Sequence, residues 1–234
     1  MYDIHFDHPV WVHFIGIGGI SMSGLAEILH DRGFKVSGSD MKASPLTEHL
    51  ESLGISVQFP QKSENIVPGI ELCVYTAAIS EDNPEFQEVK RQNIPMMSRA
   101  ELLGRIMKNY KEAINVSGTH GKTTTTSMIG EILMEAQMDP TITVGGMMKD
   151  IGGNLRVGKS DVFLAEACEY TNSFLSFFPT IEVVLNVEED HLDFFKDIND
   201  IRASFRKFIE KLPENGILIF NKDIPHAEFF LEDL

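Results

Sequence analysis

The stretch Asn115–Thr126, N-V-S-G-T-H-G-K-T-T-T-T, stands between an apolar run and a segment with helical periodicity. Phosphate-binding loops have the pattern G-x-x-x-x-G-K-[ST], whose backbone N–H groups, lysine and hydroxyl contact phosphates and Mg²⁺. Gly121–Thr123 fits this pattern, but Val116 stands where its first glycine belongs. Because Gly118 offers a second glycine and the order is strand, loop, helix, the stretch still predicts a phosphate site. The alternative is a strand-to-helix turn that contains G-K-T by chance.

Two acidic stretches farther along the chain strengthen the prediction of a phosphate site. The apolar run Val162–Ala165 ends at Glu166, and residues 186–193, N-V-E-E-D-H-L-D, follow another apolar run. A carboxylate at a strand end can hold Mg²⁺ beside a threonine hydroxyl. The threonine run 123–126 favours such a role, because β-branched residues are poor helix formers. A solvated acid at 166 and a structural histidine at 191 remain open alternatives.

Composition narrows the class of protein. The chain has 234 residues, of which 43% are hydrophobic, enough for one large or two modest domains. Thirty-five acidic and twenty basic residues give a net charge of -15, which disfavours nucleic-acid binding. The sequence has no secretory signal and no apolar run of about 18 residues, so we expect no membrane span and a cytoplasmic location. Cys73 and Cys168 are expected to be buried free thiols.

Short apolar runs alternate with helical segments along the whole chain, which predicts α/β domains with mainly parallel sheets. A polar segment after the helical run Arg99–Asn109 marks a boundary between domains 1–107 and 108–234. The same order of strand, glycine loop and helix opens both halves. The chain ends soon after the apolar run Gly216–Phe220, so we expect the second domain to be truncated.

The first half has a glycine loop of its own. Residues 16–21, G-I-G-G-I-S, match G-x-G-x-x-G except at Ser21, and Asp40 ends the next predicted strand. This pattern is similar to a dinucleotide-binding fingerprint. The match is not specific, so NAD, another nucleotide diphosphate or no ligand are all compatible with it.

Several stretches together resemble the Mur ligases along the entire chain. They are G-I-G-G-I-S-M-S-G-L-A (16–26), S-G-S-D (37–40), Y-T-A-A-I (75–79), D-N-P-E (82–85), R-A-E-L-L (99–103), S-G-T-H-G-K-T-T-T-T (117–126), E-A-C-E-Y (166–170) and N-V-E-E-D-H-L-D (186–193). The phosphate loop of that family lacks the distal glycine, so Val116 agrees with the resemblance.

The resemblance implies a Rossmann-like domain for UDP-N-acetylmuramate, followed by the first part of a P-loop ATPase-like domain for ATP and Mg²⁺. The amino-acid-binding C-terminal domain is expected to be absent. The resemblance is nearest to members that add L-alanine in peptidoglycan synthesis through an acyl phosphate. A recycling ligase that adds a peptide, or an NAD-binding module, remains an alternative. We expect this chain to bind the UDP-sugar but to be inactive alone.

The resemblance also implies roles for individual residues. The UDP-sugar is expected at Gly18, Gly19, Ser21, Met22, Ser39, Asp40, Thr76, Ala77 and Ala78. ATP is expected at Gly118, Thr119, His120, Gly121, Lys122, Thr123, Thr124 and Asn186. Lys122 and His191 are the catalytic candidates, and Thr123, Glu166 and His191 are the metal candidates.

Three positions depart from the family pattern. Cys168 and Tyr170 stand where acidic or small residues are common, so the roles of those positions do not carry over. Phe205 occupies the place where several relatives have a carbamylated lysine, and we expect no such modification here.

Overall fold

The computed structural model describes residues 2–232. The chain divides into two compact units, Met1–Ile106 and Met107–Leu234. Each unit contains its own mainly parallel sheet. Within the described residues, no helix has both the length and the apolar character needed to cross a membrane.

The first unit is a five-stranded parallel sheet with the strand order β3-β2-β1-β4-β5. This is the order of doubly wound nucleotide-binding folds, in which ligands bind at the carboxyl ends of the strands. Its elements are β1 (Trp11–Ile15), α1 (Ile20–Asp31), β2 (Lys35–Ser39), α2 (Pro45–Ser52), β3 (Ser56–Gln58), β4 (Leu72–Tyr75), α3 (Pro84–Gln92), β5 (Met96–Ser98) and α4 (Arg99–Met107), with a 3₁₀ turn at Ser63–Asn65.

Local sequence explains the bounds of helix α3. The Asn83 side chain accepts hydrogen bonds from the backbone N–H groups of Glu85 and Phe86, and Pro84 stands at the first helical position. Both features favour a helix start. The helix ends at Gln92, and the next residue, Asn93, has a left-handed φ of 55°. Neither α3 nor β5 was predicted from the sequence, because α3 is mostly polar and β5 is only three residues long, too short to show a periodicity.

The second unit is a six-stranded sheet with the order β11-β10-β6-β9-β7-β8, in which only the pairing of β8 with β7 is antiparallel. Its elements are β6 (Glu112–Ser117), α5 (Lys122–Glu135), β7 (Thr141–Met148), β8 (Gly153–Arg156), β9 (Val162–Glu166), β10 (Ile181–Val184), α6 (Ile198–Ile209), β11 (Ile217–Phe220) and α7 (Ala227–Leu231). The elements β7, β8 and α7 were not predicted from the sequence.

Helix α5 packs on the central strands of this sheet. Val116, Leu164 and Val183 come from three neighbouring strands and form one buried cluster, against which Ile129 and Leu133 of α5 pack. A separate aromatic group joins Phe174 to Phe205 and Phe208 of α6. Phe205 is fully buried in this group, so its place is explained by packing.

The prediction of two buried thiols was half wrong. Both cysteines are free, and Cys73 is buried in the first sheet. Cys168 is only partly buried, because it follows the end of β9 instead of lying within the strand. Partial burial is still sufficient to raise the pKa of its thiol.

Polar side chains are buried beneath the loop that follows β6. Asn115 and Glu182 are register partners on β6 and β10, and both are fully buried. Burial raises the pKa of Glu182 to about 8, although the Ser117 hydroxyl, 3.4 Å from the carboxylate, acts in the opposite direction. The folded protein therefore favours the protonated form of Glu182.

We predict that Glu182 makes the chain less stable as pH rises. The pKa of Glu182 in the folded chain is about 8, above the ordinary 4.5, so proton binding by Glu182 stabilises the folded state fully below pH 4.5. This contribution is lost as the pH rises towards 8. Glu182→Gln is expected to lessen the fall in Tm between these limits by roughly 10 °C. Thermal unfolding across this range measures the effect. The exposed Glu214→Gln change should keep the parent's slope, and an unchanged slope in Glu182→Gln would contradict the prediction.

Candidate functional site

The loop Gly118–Gly121 joins the carboxyl end of β6 to the start of α5. Gly118 and Gly121 have φ values of +144° and +83°, a region of the backbone that residues other than glycine rarely adopt. No described side chain caps the first turn of α5. The free N–H groups and the positive end of the helix dipole are therefore directed at the loop, which suits an anion.

Asn186 braces this loop from the end of β10. Its side chain accepts a hydrogen bond from the His120 N–H at 2.8 Å and donates one to the His120 carbonyl at 3.0 Å. Its own carbonyl accepts from the N–H of Thr119 at 3.2 Å. A Cβ at Gly118 would lie 3.3 Å from the Asn186 nitrogen, so the close approach requires glycine. Both ends of the Asn186 amide are thus engaged by the loop itself.

Lys122 forms a buried ion pair with Glu169. The ammonium lies 2.9 Å and 3.3 Å from the two carboxylate oxygens of Glu169. It also donates to the carbonyl oxygens of Gly118 and Thr119, at 2.6 Å and 3.1 Å. The Lys122 side chain is 11% exposed and that of Glu169 only 2%. Glu169 was not among the residues chosen from the sequence, although it lies in the quoted E-A-C-E-Y stretch.

Thr123 and Glu166 meet as the sequence predicts. The Thr123 hydroxyl donates to a Glu166 carboxylate oxygen at 2.9 Å, and the N–H of Gly145 donates to the same oxygen at 2.8 Å. Glu166 is the last residue of β9, in register with Val116 of β6. A hydroxyl and a carboxylate are oxygen ligands of the kind that Mg²⁺ prefers.

His191 lies between Glu169 and Tyr170. Its Nε2 atom is 3.7 Å from a Glu169 oxygen, and its ring centroid is 4.6 Å from that of Tyr170. The Tyr170 hydroxyl donates to Asp193 at 2.8 Å, and this hydrogen bond raises the pKa of the phenol. The left-handed φ of 52° at His191 sets the direction of its side chain. Tyr170, a departure from the family pattern, therefore packs directly against a predicted catalytic residue.

The structure thus groups the predicted residues of the second unit into two contacts. Thr123 pairs with Glu166, whereas Lys122 and His191 both contact Glu169. Within residues 2–232, no three His, Cys, Asp or Glu side chains gather as metal ligands. Thr124, in the first turn of α5, is exposed at the mouth of the loop. Of the three predicted metal ligands, Thr123 and Glu166 therefore contact each other, whereas His191 lies beside Glu169.

The first unit places a second loop at the carboxyl ends of β1 and β2. The Asp40 carboxylate accepts a hydrogen bond from the Gly18 N–H at 2.8 Å. A Cβ at Gly18 would lie 2.8 Å from that carboxylate and 3.0 Å from the Thr47 methyl group, so a larger residue would require these side chains to shift. Gly19 and Ser21 are exposed at the start of α1, and Ala77 and Ala78 are exposed after β4, with Thr76 half-buried beside them.

Two of the predicted UDP-sugar residues turn inward. Met22 is 2% exposed and packs in the core, so its side chain lies away from solvent. Ser39 is fully buried, and its hydroxyl donates to the carboxylate of Glu85. Glu85 also lies 3.8 Å from the buried His13. Only the backbone of Met22 and Ser39 is therefore available to line a ligand. Glu85 fixes the end of β2 by accepting the hydrogen bond of Ser39.

The fold and the two loops define an α/β nucleotide-binding protein with a phosphate loop in its second unit. Family comparison agrees with this class. Residues 11–111 match the Mur ligase family, catalytic domain, and residues 116–234 match the Mur ligase middle domain. The chain belongs to the Mur ligase family.

Individual relatives are similar over nearly all of this chain. The UDP-N-acetylmuramate--L-alanine ligase of Lachnospira eligens is 62% identical over 100% of this chain and 51% of its own length. That of Agathobacter rectalis is 60% identical over 97% of this chain and 50% of its own. The chain therefore spans about half the length of the curated relatives it matches.

Solved structures share the fold. The UDP-N-acetylmuramate-alanine ligase MurC of Thermotoga maritima has a TM-score of 0.78 and 29% identity, over 92% of this chain and 50% of that protein. The UDP-N-acetylmuramate:L-alanyl-gamma-D-glutamyl-meso-diaminopimelate ligase of Neisseria meningitides has a TM-score of 0.83 and 28% identity, over 96% of this chain and 75% of that one. The mixed α/β fold predicted from the sequence is confirmed.

We predict that Asn186→Ala loosens the phosphate loop without unfolding the unit. The change removes two hydrogen bonds to His120, which lowers the free energy of unfolding by about 1 kcal/mol. Amide hydrogen exchange at Thr119 and His120 should become faster. Asn199→Ala, an exposed change on α6, is the control. Equal exchange rates in the two variants would show that the amide does not hold the loop.

Proposed function

We propose that this chain forms the UDP-sugar-binding and ATP-binding part of an ATP-dependent ligase of peptidoglycan precursor synthesis. The ligase joins L-alanine to UDP-N-acetylmuramate by an amide bond. The observation that carries the proposal is the loop after β6, where Lys122, Thr123 and Glu166 meet at the N-terminus of α5. The names of relatives that are 62% and 60% identical support the substrates.

The ATP phosphates fit this loop on chemical grounds. Residues 118–124 offer backbone N–H groups in left-handed turns at an uncapped helix start, and Lys122 adds a positive charge. His120 and Asn186 keep the loop in shape through their mutual hydrogen bonds. A local concentration of donors accounts for anion binding even though the chain's net charge is -15.

A magnesium ion fits beside the loop. The Thr123 hydroxyl and the Glu166 carboxylate would hold it, because both are hard oxygen ligands and already lie 2.9 Å apart. His191 lies near the same site, where its Nε2 atom is 3.7 Å from a carboxylate oxygen of Glu169. Bound Mg²⁺ supplies charge neutralisation for the transferring phosphoryl group.

We propose the chemistry that the family resemblance implies. The carboxylate of the muramate attacks the γ-phosphorus of ATP, which gives an acyl phosphate and ADP. Lys122 stabilises the negative charge that spreads over the transferred group, and the rigid loop contributes alignment. The amine of L-alanine then attacks the acyl carbon, phosphate leaves and the amide forms.

The UDP-sugar is assigned to the first unit, Met1–Ile106. Gly18, Gly19 and Ser21 present backbone at the start of α1, where a diphosphate is favoured by the helix N-terminus. Asp40 fixes the loop through the N–H of Gly18, and residues 76–78 form the neighbouring edge. We propose a cytoplasmic location for the chain, in keeping with the ligase assignment.

A peptide-adding ligase is the second candidate. The Neisseria meningitides neighbour, whose name gives a tripeptide as the group joined to UDP-N-acetylmuramate, shares the fold at 28% identity. The much higher identity to the alanine ligases favours L-alanine. The amino-acid site decides between the two candidates, and calorimetry with L-alanine and the tripeptide on a chain that includes that site separates them.

We predict that Lys122→Ala abolishes most ATP binding but preserves binding of UDP-N-acetylmuramate. Loss of a charged contact worth about 1.5–3 kcal/mol weakens ATP at least roughly tenfold. Isothermal titration calorimetry on the chain gives both affinities. The exposed Lys149→Ala change serves as the control and should bind both ligands like the parent. Parent-like ATP affinity in Lys122→Ala would remove the proposed role of the loop.

The reciprocal change, Asp40→Ala, should weaken UDP-N-acetylmuramate and leave ATP unaffected. It removes the acceptor for the Gly18 N–H, so the loop loses its fixed position and affinity falls by roughly tenfold. Asp31→Ala, at the exposed end of α1, is the matched control. Titration with NAD belongs to the same experiment, and tight NAD binding without UDP-sugar binding would overturn the ligase assignment.

A further inference from the structure

Glu169 is one of the few buried carboxylates in the second unit, and its side chain is 2% exposed. A buried charge is costly unless it is paired. Glu169 faces two cationic or polarisable partners, with Lys122 at 2.9 Å and His191 at 3.7 Å. The Glu169 carboxylate therefore lies close to both Lys122 of the phosphate loop and His191.

The ammonium of Lys122 has no donor to spare in this arrangement. Its three hydrogens face the carbonyls of Gly118 and Thr119 and the carboxylate of Glu169, all within 3.3 Å. A phosphate that binds the lysine must therefore displace at least one of these acceptors. Glu169 is the acceptor that carries a negative charge, so it is also the one that competes with phosphate for the ammonium.

We propose that Glu169 is a positioning residue with two states. Without nucleotide it holds Lys122 folded back on the loop carbonyls, and with nucleotide it yields the ammonium to the phosphates while it keeps its contact with His191. This inference rests on the proposed function, because it takes the phosphates of ATP as the competing anion. It assigns a role to a residue outside the G-K-T loop and outside the Thr123–Glu166 pair.

The two-state role makes a prediction with an unusual sign. Residues that only support a site weaken ligand binding when they are changed. Neutralisation of Glu169 instead removes the competitor for Lys122 and a negative charge near the incoming phosphates, so nucleotide binding becomes tighter. At the same time His191 loses its anionic partner, so turnover in a complete ligase falls while the KM for ATP also falls.

Glu169→Gln in the 234-residue chain tests the proposal with two measurements. The first is the rate at which limiting acetic anhydride labels Lys122 in the absence of nucleotide, read by peptide mass spectrometry against the exposed Lys111. The second is the affinity for ADP in EDTA, measured by calorimetry, so that divalent metal plays no part. We expect faster labelling of Lys122 and ADP binding that is tighter by about threefold or more.

Two further variants complete the design. Glu188→Gln removes the same charge near the loop, where the Glu188 carboxylate lies 4.0 Å from His120, but it leaves the Lys122 contacts intact. It should label like the parent and bind ADP with little change. Glu169→Asp keeps the buried charge on a shorter side chain and should restore both readouts towards the parent values. It also supplies the comparison if Glu169→Gln fails to fold.

Unchanged Lys122 labelling in folded Glu169→Gln, or weaker ADP binding than the parent, would overturn the proposal. An equal gain in affinity in Glu188→Gln would also overturn it, because general charge would then explain the effect. Failure of the parent chain to bind ADP when Mg²⁺ is present contradicts the proposed function instead. The labelling of Lys122 still tests the role of Glu169 in that case, so the two failures are distinguishable.

Discussion

The parallel pairing of β6 with β9 on one side and β10 on the other is the constraint on which the candidate site depends. Val116 of β6 is in register with Glu166 of β9, and Ser117 with Val184 of β10. The chain therefore leaves all three strands at one edge of the sheet. The loop Gly118–Gly121, the Glu166 carboxylate and the Asn186 side chain meet there because the strands end together.

The site also has to hold several carboxylates close to a position for phosphates, in a chain that is already strongly acidic. Glu166 and Glu169 each have a hydrogen-bond or ion-pair partner in the described structure. Glu166 accepts from a hydroxyl and a backbone N–H, and Glu169 is paired with Lys122. These contacts offset the cost of burial and limit repulsion. The acidic cluster is thus compatible with an anion site because its charges are engaged locally.

Local patterns were enough to predict the loop and the Thr123–Glu166 contact, because both depend on residues at a strand end. The parallel α/β fold was predictable from the alternation of short strands with helices. The role of Glu169 depends on the turn after β9, where Thr171 and Asn172 have left-handed φ values of 55° and 58°. No short-range pattern encodes where such a turn directs a side chain. The hairpin β7–β8 was missed because its glycines interrupt the alternation of a strand.

Val116 shows why this phosphate loop differs from the common pattern. The residue is fully buried and joins Leu164 and Val183 beneath helix α5. A glycine there would leave a cavity under the helix that carries Lys122, and cavities of that kind cost about 1–3 kcal/mol for the loss of a valine side chain. Gly118 supplies the necessary left-handed turn two residues later, against Asn186. The position of the first glycine is therefore determined by where strand packing ends and the loop begins.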